Sequence, residues 1–427
     1  MALSTQPYKG ARDFYPEDKR IQKYMFSKWR EVVERFGYEE YDAPILEPLD
    51  IYLAKTGEEI VNEQTYVFED RGGRKVVIRP EMTPTVSRMV AGKCQELSYP
   101  LRWYSIPNLW RYERPQRGRL REHWQLNVDI FGVASTAAEI ELITIVDAMF
   151  KAYGADASMY QINLNHRGLI NYLLGEYLVL DADEQHAVGK LIDRMHKMER
   201  TKFIGAIDEA LQPAHREAGV TEKLLQILDT VDPAALPSEV QATDAYQELA
   251  SVLTELKKAG LTNVRYDATL MRGFDYYTGI VFEVTDTDPE NNRSMMGGGR
   301  YDGLVGLFGV EPVPTVGFGW GDVTLENFLR SHRLLSDLKN ECDIYVVSVG
   351  EVNVQPVAAD LRAQGLNVAV DLSGRKLGDQ FKTAEKKGID HVLIVGESEL
   401  QSGQYKLKNL ATGEEQTLPL NEVKAKL

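Results

Sequence analysis

The residues with the clearest chemical potential lie between 107 and 132, in PNLWRYERPQRGRLREHWQLNVDIFG. Residues 111–122 contain five arginines and two glutamates. The arginines are Arg111, Arg114, Arg117, Arg119 and Arg121. A guanidinium group donates paired hydrogen bonds to phosphate oxygens and stacks on flat aromatic rings. The apolar residues on both sides predict a hairpin of strand, basic loop and strand, in which the loop binds a polyanion.

The second strand of this hairpin carries polar side chains on one face. Side chains alternate along a strand, so one face holds Gln125, Asn127, Asp129 and Phe131. An amide and a carboxylate on the same face are suited to holding a small polar ligand. The alternative is a solvated hairpin with a charged tip, and the hairpin residues by themselves leave it open.

A second candidate group is Glu81-Met82-Thr83, which follows a predicted hairpin at residues 64–80. Thr83 with Pro84 after it predicts a helix start, with the threonine as the cap and the proline in the first turn. Glu81 then lies at a strand end, just before the helix. Its carboxylate either binds a ligand or interacts favourably with the helix N-terminus.

A third candidate group lies within residues 264–284, VRYDATLMRGFDYYTGIVFEV, which have a strand pattern. Arg272 falls in the middle of this predicted strand region. A buried cation without a partner is costly, so Arg272 there needs an anion such as a phosphate or a carboxylate. The adjacent Tyr276 and Tyr277 line the same site or, alternatively, act as hydrophobic filler at a turn.

Other patterns predict the elements that must position these groups. A helix over about 18–36 has apolar residues at helical spacing and ends at Gly37. The following segments have further predicted elements: a helix at 136–153, a strand at 161–165, helices over 168–260, a glycine-rich turn with a short helix at 295–309, and a strand then a helix at 315–332. After Lys339, alternating strands and helices predict a separate α/β domain of about 85 residues.

Length and composition set the broad class. A chain of 427 residues is too long for one compact core, so we expect two or three domains. No apolar run reaches the roughly 18 residues of a membrane span. The first residues, MALSTQPYKGARDF, contain no apolar signal-peptide core, and this favours a cytoplasmic location without membrane attachment.

Charge and cysteine content exclude two further classes. The net charge of −15 argues against a protein that coats nucleic acid without discrimination. An acidic protein still binds RNA selectively through local basic patches. Cys94 and Cys342 are far apart and do not have metal-ligand spacing, so we expect no zinc site.

Several motifs together resemble one family. Residues 111–132 resemble motif 2 of the class II aminoacyl-tRNA synthetases in its histidyl form: Arg111-x-Glu113-Arg114-Pro115, Gly118-Arg119, Gln125-Leu126 and Asp129-x-Phe131-Gly132. RGFDYYTG at 272–279 matches a signature of histidyl-tRNA synthetases and their close paralogues. The helix and strand over 18–48 are similar to motif 1, and LGDQFKTAEKKGIDHVLIVGESEL resembles the family's anticodon-binding domain. The resemblance covers nearly the whole chain.

The resemblance implies an α+β fold. A class II antiparallel-sheet catalytic domain over 1–335 would contain a helical insertion at 168–260, and an α/β anticodon-binding domain would span 341–427. The implied activity is that of a histidine–tRNA ligase, which activates L-histidine with ATP and Mg²⁺ and transfers histidine to tRNA(His). The implied assembly is a homodimer through the helix and strand of 18–48.

The resemblance also implies roles for individual residues. Arg111 and Arg272 would be catalytic, holding the α-phosphate of ATP and the carboxylate of histidine. Histidine binding would fall to Glu81, Met82, Thr83, Arg111, Gln125, Asp129, Arg272, Tyr276 and Tyr277. ATP binding would fall to Arg111, Glu113, Arg119 and Arg121, and tRNA binding to Arg114, Gln116, Arg117, Arg375 and Lys376. Asp129 would accept a hydrogen bond from the imidazole, a position where many bacterial members have glutamate.

One position departs from the family. Motif 3 usually has Gly-x-x-Arg, with the arginine facing the γ-phosphate, whereas this chain has Thr324 in place of the arginine. Three kinds of replacement are conceivable: tightly held Mg²⁺, Arg119 or Arg121 of the motif 2 loop, and Arg300 or Arg330. We expect the motif 2 loop and Mg²⁺ to take over this role.

Thr324 also favours a rival interpretation. The rival is the non-catalytic, synthetase-like regulatory subunit of ATP phosphoribosyltransferase, which has the catalytic fold but charges no tRNA and lacks the anticodon domain. The predicted C-terminal domain argues against this interpretation. Glu81, Arg111 and Arg272 are all present, which also favours the ligase.

Overall fold

The computed structural model describes residues 3–53, 64–271, 276–291, 293–335 and 338–427. The chain divides into two compact units, Met1–Leu335 and Ser336–Leu427. Each unit has its own sheet and its own apolar core.

The first unit is built on two sheets. Its strands are β1 (Glu39–Glu40), β2 (Leu46–Pro48), β3 (Tyr66–Glu69), β4 (Lys75–Ile78), β5 (Leu101–Ser105), β6 (Asn108–Trp110), β7 (Glu122–Phe131), β8 (Tyr160–His166), β9 (Val264–Tyr266), β10 (Ile280–Asp286), β11 (Ser294–Arg300) and β12 (Thr315–Gly321). The larger sheet has the order β1-β5-β7-β12-β11-β10-β8-β9, with β6 also paired to β7. It is antiparallel except at the β1–β5 and β8–β9 pairs. The smaller sheet has the order β2-β4-β3.

Helices cover one side of the larger sheet. The main ones are Pro16–Arg35, Ala137–Ala152 and Asp244–Lys258, and their apolar side chains share one core with the sheet. The helix predicted at 18–36 is therefore confirmed within two residues. Its apolar face, with Trp29 packed 6.1 Å from Trp320, is buried inside this core. This apolar face is thus buried within a single chain, and the dimer interface predicted over 18–48 stays a prediction.

The helical pattern predicted over 168–260 is confirmed. This region contains the helices Arg167–Tyr172, Ala182–Arg194, Arg200–Ala210, Pro213–Glu217, Val220–Leu228, Ser238–Gln241 and Asp244–Lys258, and the π-helix Leu173–Tyr177. Much of it packs on a separate apolar core that contains Phe203 and Ile207.

Three local predictions differ from the structure. The continuous strand region predicted at 264–284 consists of β9 and β10, with the residues described between them outside any strand. The glycine-rich turn predicted from 295 is the strand β11, although the short helix after it is confirmed as the 3₁₀-helix Val305–Phe308. Thr83 is not the cap of its helix: the helix Thr83–Lys93 begins one residue earlier, with Met82 in the cap position and no side-chain cap.

The second unit has the predicted alternation of strands and helices. Its strands are β13 (Ile344–Ser348), β14 (Val368–Val370), β15 (His391–Val395), β16 (Tyr405–Asn409) and β17 (Glu415–Leu418), in the order β14-β13-β15-β16-β17. Its helices are Gln355–Ala363, Leu377–Lys386, Glu397–Ser402 and Leu420–Val423. The antiparallel strands β16 and β17 were not predicted. None of the helices described in either unit has the length and apolar composition needed to cross a membrane.

A buried ion pair ties the larger sheet to the helix Ala137–Ala152. The Arg300 guanidinium donates to both carboxylate oxygens of Glu139, at 2.7 and 2.8 Å, and to the carbonyl oxygens of Val133 and Ser135. Both side chains of the pair are at most 9% exposed. Arg300 thus has a structural partner, and it is not a free cation for a nucleotide.

Removing this partner should destabilise the first unit. We expect Glu139→Ala to lower the free energy of unfolding by about 3–5 kcal/mol, because a buried guanidinium is left without its counter-charge. Urea denaturation followed by tryptophan fluorescence reports on this unit alone, since all five tryptophans precede residue 336. The matched control is Glu255→Ala, which breaks an exposed pair with Lys258 and should change the free energy by less than about 1 kcal/mol. Equal effects of the two substitutions would contradict a structural role for the buried pair.

Candidate active site

A cavity opens on the larger sheet. It brings together seven of the residues that the sequence predicted for one site: Glu81, Thr83, Arg111, Gln125, Asp129, Tyr276 and Tyr277. It is also lined by Asn127, Gly297, Tyr301, Gly317, Phe318 and Gly319. Met82 does not line the cavity and is fully buried in the protein. Arg272, the other predicted catalytic residue, lies outside the described residues.

Glycines form part of the cavity wall because neighbouring side chains need the space. In the sheet register Gly317 lies opposite Asp129, and Gly297 lies opposite Gly319. A methyl group on Gly317 would collide with the Asp129 carboxylate and lie 3.0 Å from the Tyr301 hydroxyl. A methyl group on Gly319 would lie 2.8 Å from the Gln125 amide carbon. The absence of a side chain at Gly317 and Gly319 therefore leaves room for the polar groups of β7.

Asp129 is a buried carboxylate at the wall of this cavity, with 4% of its surface exposed. It accepts a hydrogen bond from the hydroxyl of Tyr301. Burial raises the pKa of Asp129 to about 7, and the Tyr301 hydrogen bond acts in the opposite direction. Asp129 therefore changes charge near neutral pH. The sequence analysis did not predict Tyr301, although it directly follows the glycine-rich strand.

Glu81 is the second buried carboxylate of the cavity, with 3% of its surface exposed. The Tyr276 hydroxyl donates to its Oε2 at 3.3 Å. The ring of Tyr276 contacts the ring of Tyr301 edge-on, with centroids 5.6 Å apart. Tyr276 thus donates to Glu81 and Tyr301 donates to Asp129, and the rings of the two tyrosines contact each other. The cavity therefore has two acidic groups, each with a tyrosine donor.

Arg111 is the cation of the cavity wall. Its Nε donates to the carbonyl oxygen of Pro80 at 2.8 Å. Because Pro80 directly precedes Glu81, this hydrogen bond positions the guanidinium near the segment that carries Glu81. No carboxylate among the described residues forms an ion pair with it. The terminal nitrogens are therefore available to an anionic group of a ligand.

The loop between β6 and β7 forms the predicted basic hairpin. Glu113 is mostly buried and lies 3.3 Å from Arg119, whose side chain is 55% exposed. Arg121 lies 3.9 Å above the ring of Tyr112 and donates to the Tyr8 hydroxyl at 2.9 Å. The three predicted ATP-binding residues of this loop, Glu113, Arg119 and Arg121, do not line the cavity. The three predicted tRNA-binding residues Arg114, Gln116 and Arg117 are exposed near the loop tip.

His123 at the start of β7 is a residue that the sequence analysis missed. Desolvation of the ring, with the nearby charges of Arg111, Arg12 and Arg119, lowers the pKa of His123 to about 3. The imidazole is therefore neutral at physiological pH.

Thr324 lies in the first turn of the helix Asp322–Ser331, and its hydroxyl hydrogen is already used in a hydrogen bond within the protein. Its hydroxyl is within hydrogen-bond distance of the carbonyl oxygens of Met295, at 2.8 Å, and Gly321, at 3.0 Å. The fully buried Asp322 at the start of this helix pairs with Arg12 at 2.6 Å. Burial raises the pKa of Asp322, while the Arg12 charge acts to lower it.

The two predicted tRNA-binding residues of the second unit, Arg375 and Lys376, lie just before the helix Leu377–Lys386. The Arg375 guanidinium donates to the hydroxyls of Ser373 and Thr383, both at 2.8 Å, and about half of its side chain stays exposed. Lys376 is also exposed, and Leu372 nearby is 82% exposed. This segment thus presents two cations and an apolar side chain at the surface.

Comparisons with known proteins identify the family of the chain. A family model for histidyl-tRNA synthetase matches residues 10–321, and one for an anticodon binding domain matches residues 343–427. A histidine–tRNA ligase of Leptospira biflexa is 42% identical over 430 residues, covering 100% of this chain and 98% of that protein. One of Thermoplasma volcanium is 35% identical over 427 residues, covering 99% and 98%.

A comparison with solved structures shows a similar fold. The crystal structure of histidyl-tRNA synthetase from Nostoc sp. PCC 7120 matches with a TM-score of 0.83 at 24% identity and covers 100% of both chains. This likeness by itself shows the class II fold with its C-terminal domain. Together with the family model and the relatives matched over nearly their full length, it leads to one conclusion: the chain belongs to the histidyl-tRNA synthetase family.

Proposed function

We propose that this chain activates L-histidine with ATP to histidyl-adenylate and transfers histidine to the 3′ end of tRNA(His). The observation that carries the proposal is the cavity with two buried carboxylates, Glu81 and Asp129, and the cation Arg111. Free histidine has an ammonium group, an imidazole and a carboxylate. Among the described residues of the cavity wall, Glu81 and Asp129 suit the ammonium group and the imidazole, and Arg111 suits the carboxylate.

The proposed binding mode assigns one partner to each group of histidine. Glu81, with Thr83 and Gln125, binds the ammonium group. The Asp129 carboxylate accepts a hydrogen bond from a ring N–H of the imidazole, with Tyr276 and Tyr277 beside it. A pocket that hydrogen-bonds a substrate N–H discriminates strongly against amino acids that lack one.

The proposed reaction needs no protein nucleophile. The histidine carboxylate attacks the α-phosphorus of ATP, and pyrophosphate leaves. The 3′-terminal hydroxyl of the tRNA then attacks the carbonyl carbon of the adenylate, and AMP leaves. Arg111, and Arg272 outside the described residues, are proposed to stabilise the charge on the α-phosphate, so catalysis consists of positioning and charge stabilisation.

Mg²⁺ is proposed as the companion of ATP. Among the residues that the structure describes, no three His, Cys, Asp or Glu side chains come together in a way that could hold a metal ion. Mg²⁺ keeps several waters and usually binds through substrate phosphates and at most one or two carboxylates. The chemistry present therefore suits an ion carried by the triphosphate, whose negative charge it partly neutralises.

A division of labour between the units is also proposed. The first unit, 1–335, would be catalytic, with the 168–260 insertion facing tRNA. The exposed tip of the motif 2 loop would meet the acceptor end, and residues 341–427 would read the anticodon. Exposed cations beside an exposed apolar side chain, as at Arg375, Lys376 and Leu372, suit binding of unpaired bases.

A homodimer is proposed through the smaller sheet and not through the first helix. Four apolar side chains on or beside this sheet are each 43–46% exposed: Ile45, Leu46, Val67 and Phe68. Leu46 and Phe68 share one face of the sheet, because they lie opposite Ile78 and Val76 of the central strand, and exposed apolar side chains on one face suit a protein interface. Because the Leu46–Pro48 strand belongs to the predicted 18–48 interface, this part of the expectation is kept. We also propose that the chain acts in the cytoplasm, where tRNA is charged for translation.

Exchange between ATP and radioactive pyrophosphate tests the proposed function. Purified protein with Mg²⁺ and saturating ATP should exchange the label with L-histidine and not with the other amino acids. Exchange without charging of tRNA(His) would limit the function to the first step. Failure of histidine to support any exchange would favour the rival, the non-catalytic regulatory subunit, for which the replacement of the motif 3 arginine by Thr324 is the one supporting feature.

The role of Asp129 gives a sharper prediction. Asp129→Ala should raise the KM for histidine at least about tenfold, because the bound imidazole N–H loses its acceptor in a closed pocket. The KM for ATP should change little. An unchanged histidine KM would move imidazole recognition to another residue.

A second test measures how the KM for histidine depends on pH, with Asp129→Asn as the control variant. With a pKa of about 7, Asp129 is mostly protonated at pH 6 and mostly ionised at pH 8. The ionised form is the better acceptor, so the histidine KM should be about tenfold higher at pH 6 than at pH 8. Asp129→Asn removes this titration and leaves only that of the imidazole of histidine itself. The same slope in both proteins would contradict the assignment.

The role of the second unit is tested without truncation. Arg375→Glu with Lys376→Glu should raise the KM for tRNA(His) by about tenfold or more, because two favourable contacts with the RNA become repulsive. Pyrophosphate exchange should stay normal. The control changes the same number of charges at the C-terminal end of this unit, with Lys424→Glu and Lys426→Glu. Equal effects of the two double variants on tRNA charging would refute the assignment.

A further inference from the structure

The region where the motif 2 loop tip approaches the helix Asp322–Ser331, here named the gap, contains an arginine that was not predicted from the sequence. Arg293 precedes β11, and its Nη2 donates to the Gln116 side-chain oxygen at 3.0 Å. A methyl group on Gly118 at the loop tip would lie 3.8 Å from Arg293 Cδ and 3.9 Å from Thr324 Cγ2. Arg293, the loop tip and Thr324 are therefore neighbours.

The charge of Arg293 is not neutralised by a carboxylate. Its side chain is exposed, and its hydrogen-bond partner Gln116 is a neutral amide. Among the described residues, no carboxylate oxygen lies within 4 Å of its guanidinium nitrogens. The neighbouring carboxylate Glu290 lies 3.7 Å from Arg117 instead. Arg293 is therefore free to pair with an anionic ligand.

Most of the other candidate arginines already have carboxylate partners, and Arg121 instead stacks on Tyr112 and donates to the Tyr8 hydroxyl. Arg12 pairs with the buried Asp322 at 2.6 Å, and Arg119 lies 3.3 Å from Glu113. The two replacements considered outside the loop are also occupied: Arg300 by Glu139 at 2.7 Å and Arg330 by Glu326 at 2.7 Å. A new anion would have to compete with these carboxylates, and at Arg293 it would compete only with an amide.

The path of the chain connects Arg293 to the cavity. Gly297 lines the cavity, and Arg293 is four residues earlier, about 13 Å away along an extended strand. Met295, between them, accepts the hydrogen bond of Thr324. For Arg293 to contact a nucleotide whose α-phosphate lies at Arg111, the β- and γ-phosphates must extend toward this line of residues. Thr324 itself offers the phosphates no free donor.

We propose that Arg293 binds the β- and γ-phosphates of ATP and supplies the positive charge that Thr324 does not. This inference rests on the proposed use of ATP. Arg293 is a phosphate-binding residue in this account, and Gln116 orients its guanidinium toward the gap. The pyrophosphate that leaves in the first step carries both of these phosphates, so Arg293 would hold the leaving group as well as the substrate.

Substitution of Arg293 in the full-length protein tests the proposal through pyrophosphate. Arg293→Ala should raise the KM for ATP and the KM for pyrophosphate in the exchange reaction, each by roughly tenfold to a hundredfold, as expected for loss of one charge-assisted contact. The Kd for AMP, which lacks both phosphates, and the KM for histidine should not change. A structural defect would weaken AMP and histidine binding as well.

Two further variants sharpen the test. Thr324→Arg added to Arg293→Ala should restore most of the pyrophosphate affinity, because it brings a guanidinium back to the same gap. Arg330→Ala, an exposed arginine on the same helix, is the matched control and should leave both KM values unchanged.

Three results would overturn the proposal. The first is an unchanged KM for pyrophosphate in Arg293→Ala. The second is an equal loss of AMP binding. The third is a raised KM for tRNA alone, which would make Arg293 a contact of the acceptor end. Failure of the proposed function itself is a different result, because then the unsubstituted protein shows no histidine-dependent exchange.

Discussion

A carboxylate can be kept inside a sheet only if the surrounding groups leave room for it and share its charge. Most of the candidate site follows from meeting this constraint at Asp129. The residue opposite it in the register is Gly317, because any side chain there would collide with the carboxylate. Among the described residues, the Tyr301 hydroxyl donates a hydrogen bond to the Asp129 carboxylate. Burial still raises the pKa of Asp129 to about 7. A ligand that brings a second hydrogen-bond donor would offset part of the desolvation cost of the carboxylate. The imidazole N–H of histidine is such a donor.

The rest of the fold holds the walls of this cavity in place through buried ion pairs. Arg300, adjacent to Tyr301, is fixed by Glu139 on the helix behind the sheet. Arg12 reaches from the N-terminal segment to the buried Asp322, which also accepts from the backbone N–H of Trp124 on β7. Removing one member of such a pair leaves an uncompensated buried charge. These pairs therefore connect segments that are distant in sequence and fix the strands that carry the polar side chains.

Local patterns predicted much of the framework, and contacts across the sheet explain the rest. Alternation along β7 correctly predicted that Gln125, Asn127 and Asp129 lie on one face, and all three line the cavity. This was predictable because strand periodicity depends only on neighbours in sequence. The glycines of β11 were predicted as a turn because glycine is common in turns. Their actual reason lies elsewhere in the fold: a methyl group on Gly298 would collide with Phe318 of β12, and one on Gly299 would collide with Tyr277. The partners of Arg300 and Arg12 lie 161 and 310 positions away, so no local pattern could predict them. Tyr301 was missed because only the folded sheet brings it to the cavity.

The most direct test of this account is a crystal structure of the protein with bound L-histidine. The account predicts a ring nitrogen of the imidazole within about 2.7–3.2 Å of an Asp129 carboxylate oxygen. It also predicts the ammonium group beside Glu81 and the carboxylate oriented toward Arg111. An imidazole bound away from Asp129, or a cavity that stays empty at saturating histidine, would contradict the central claim that this buried carboxylate selects the substrate.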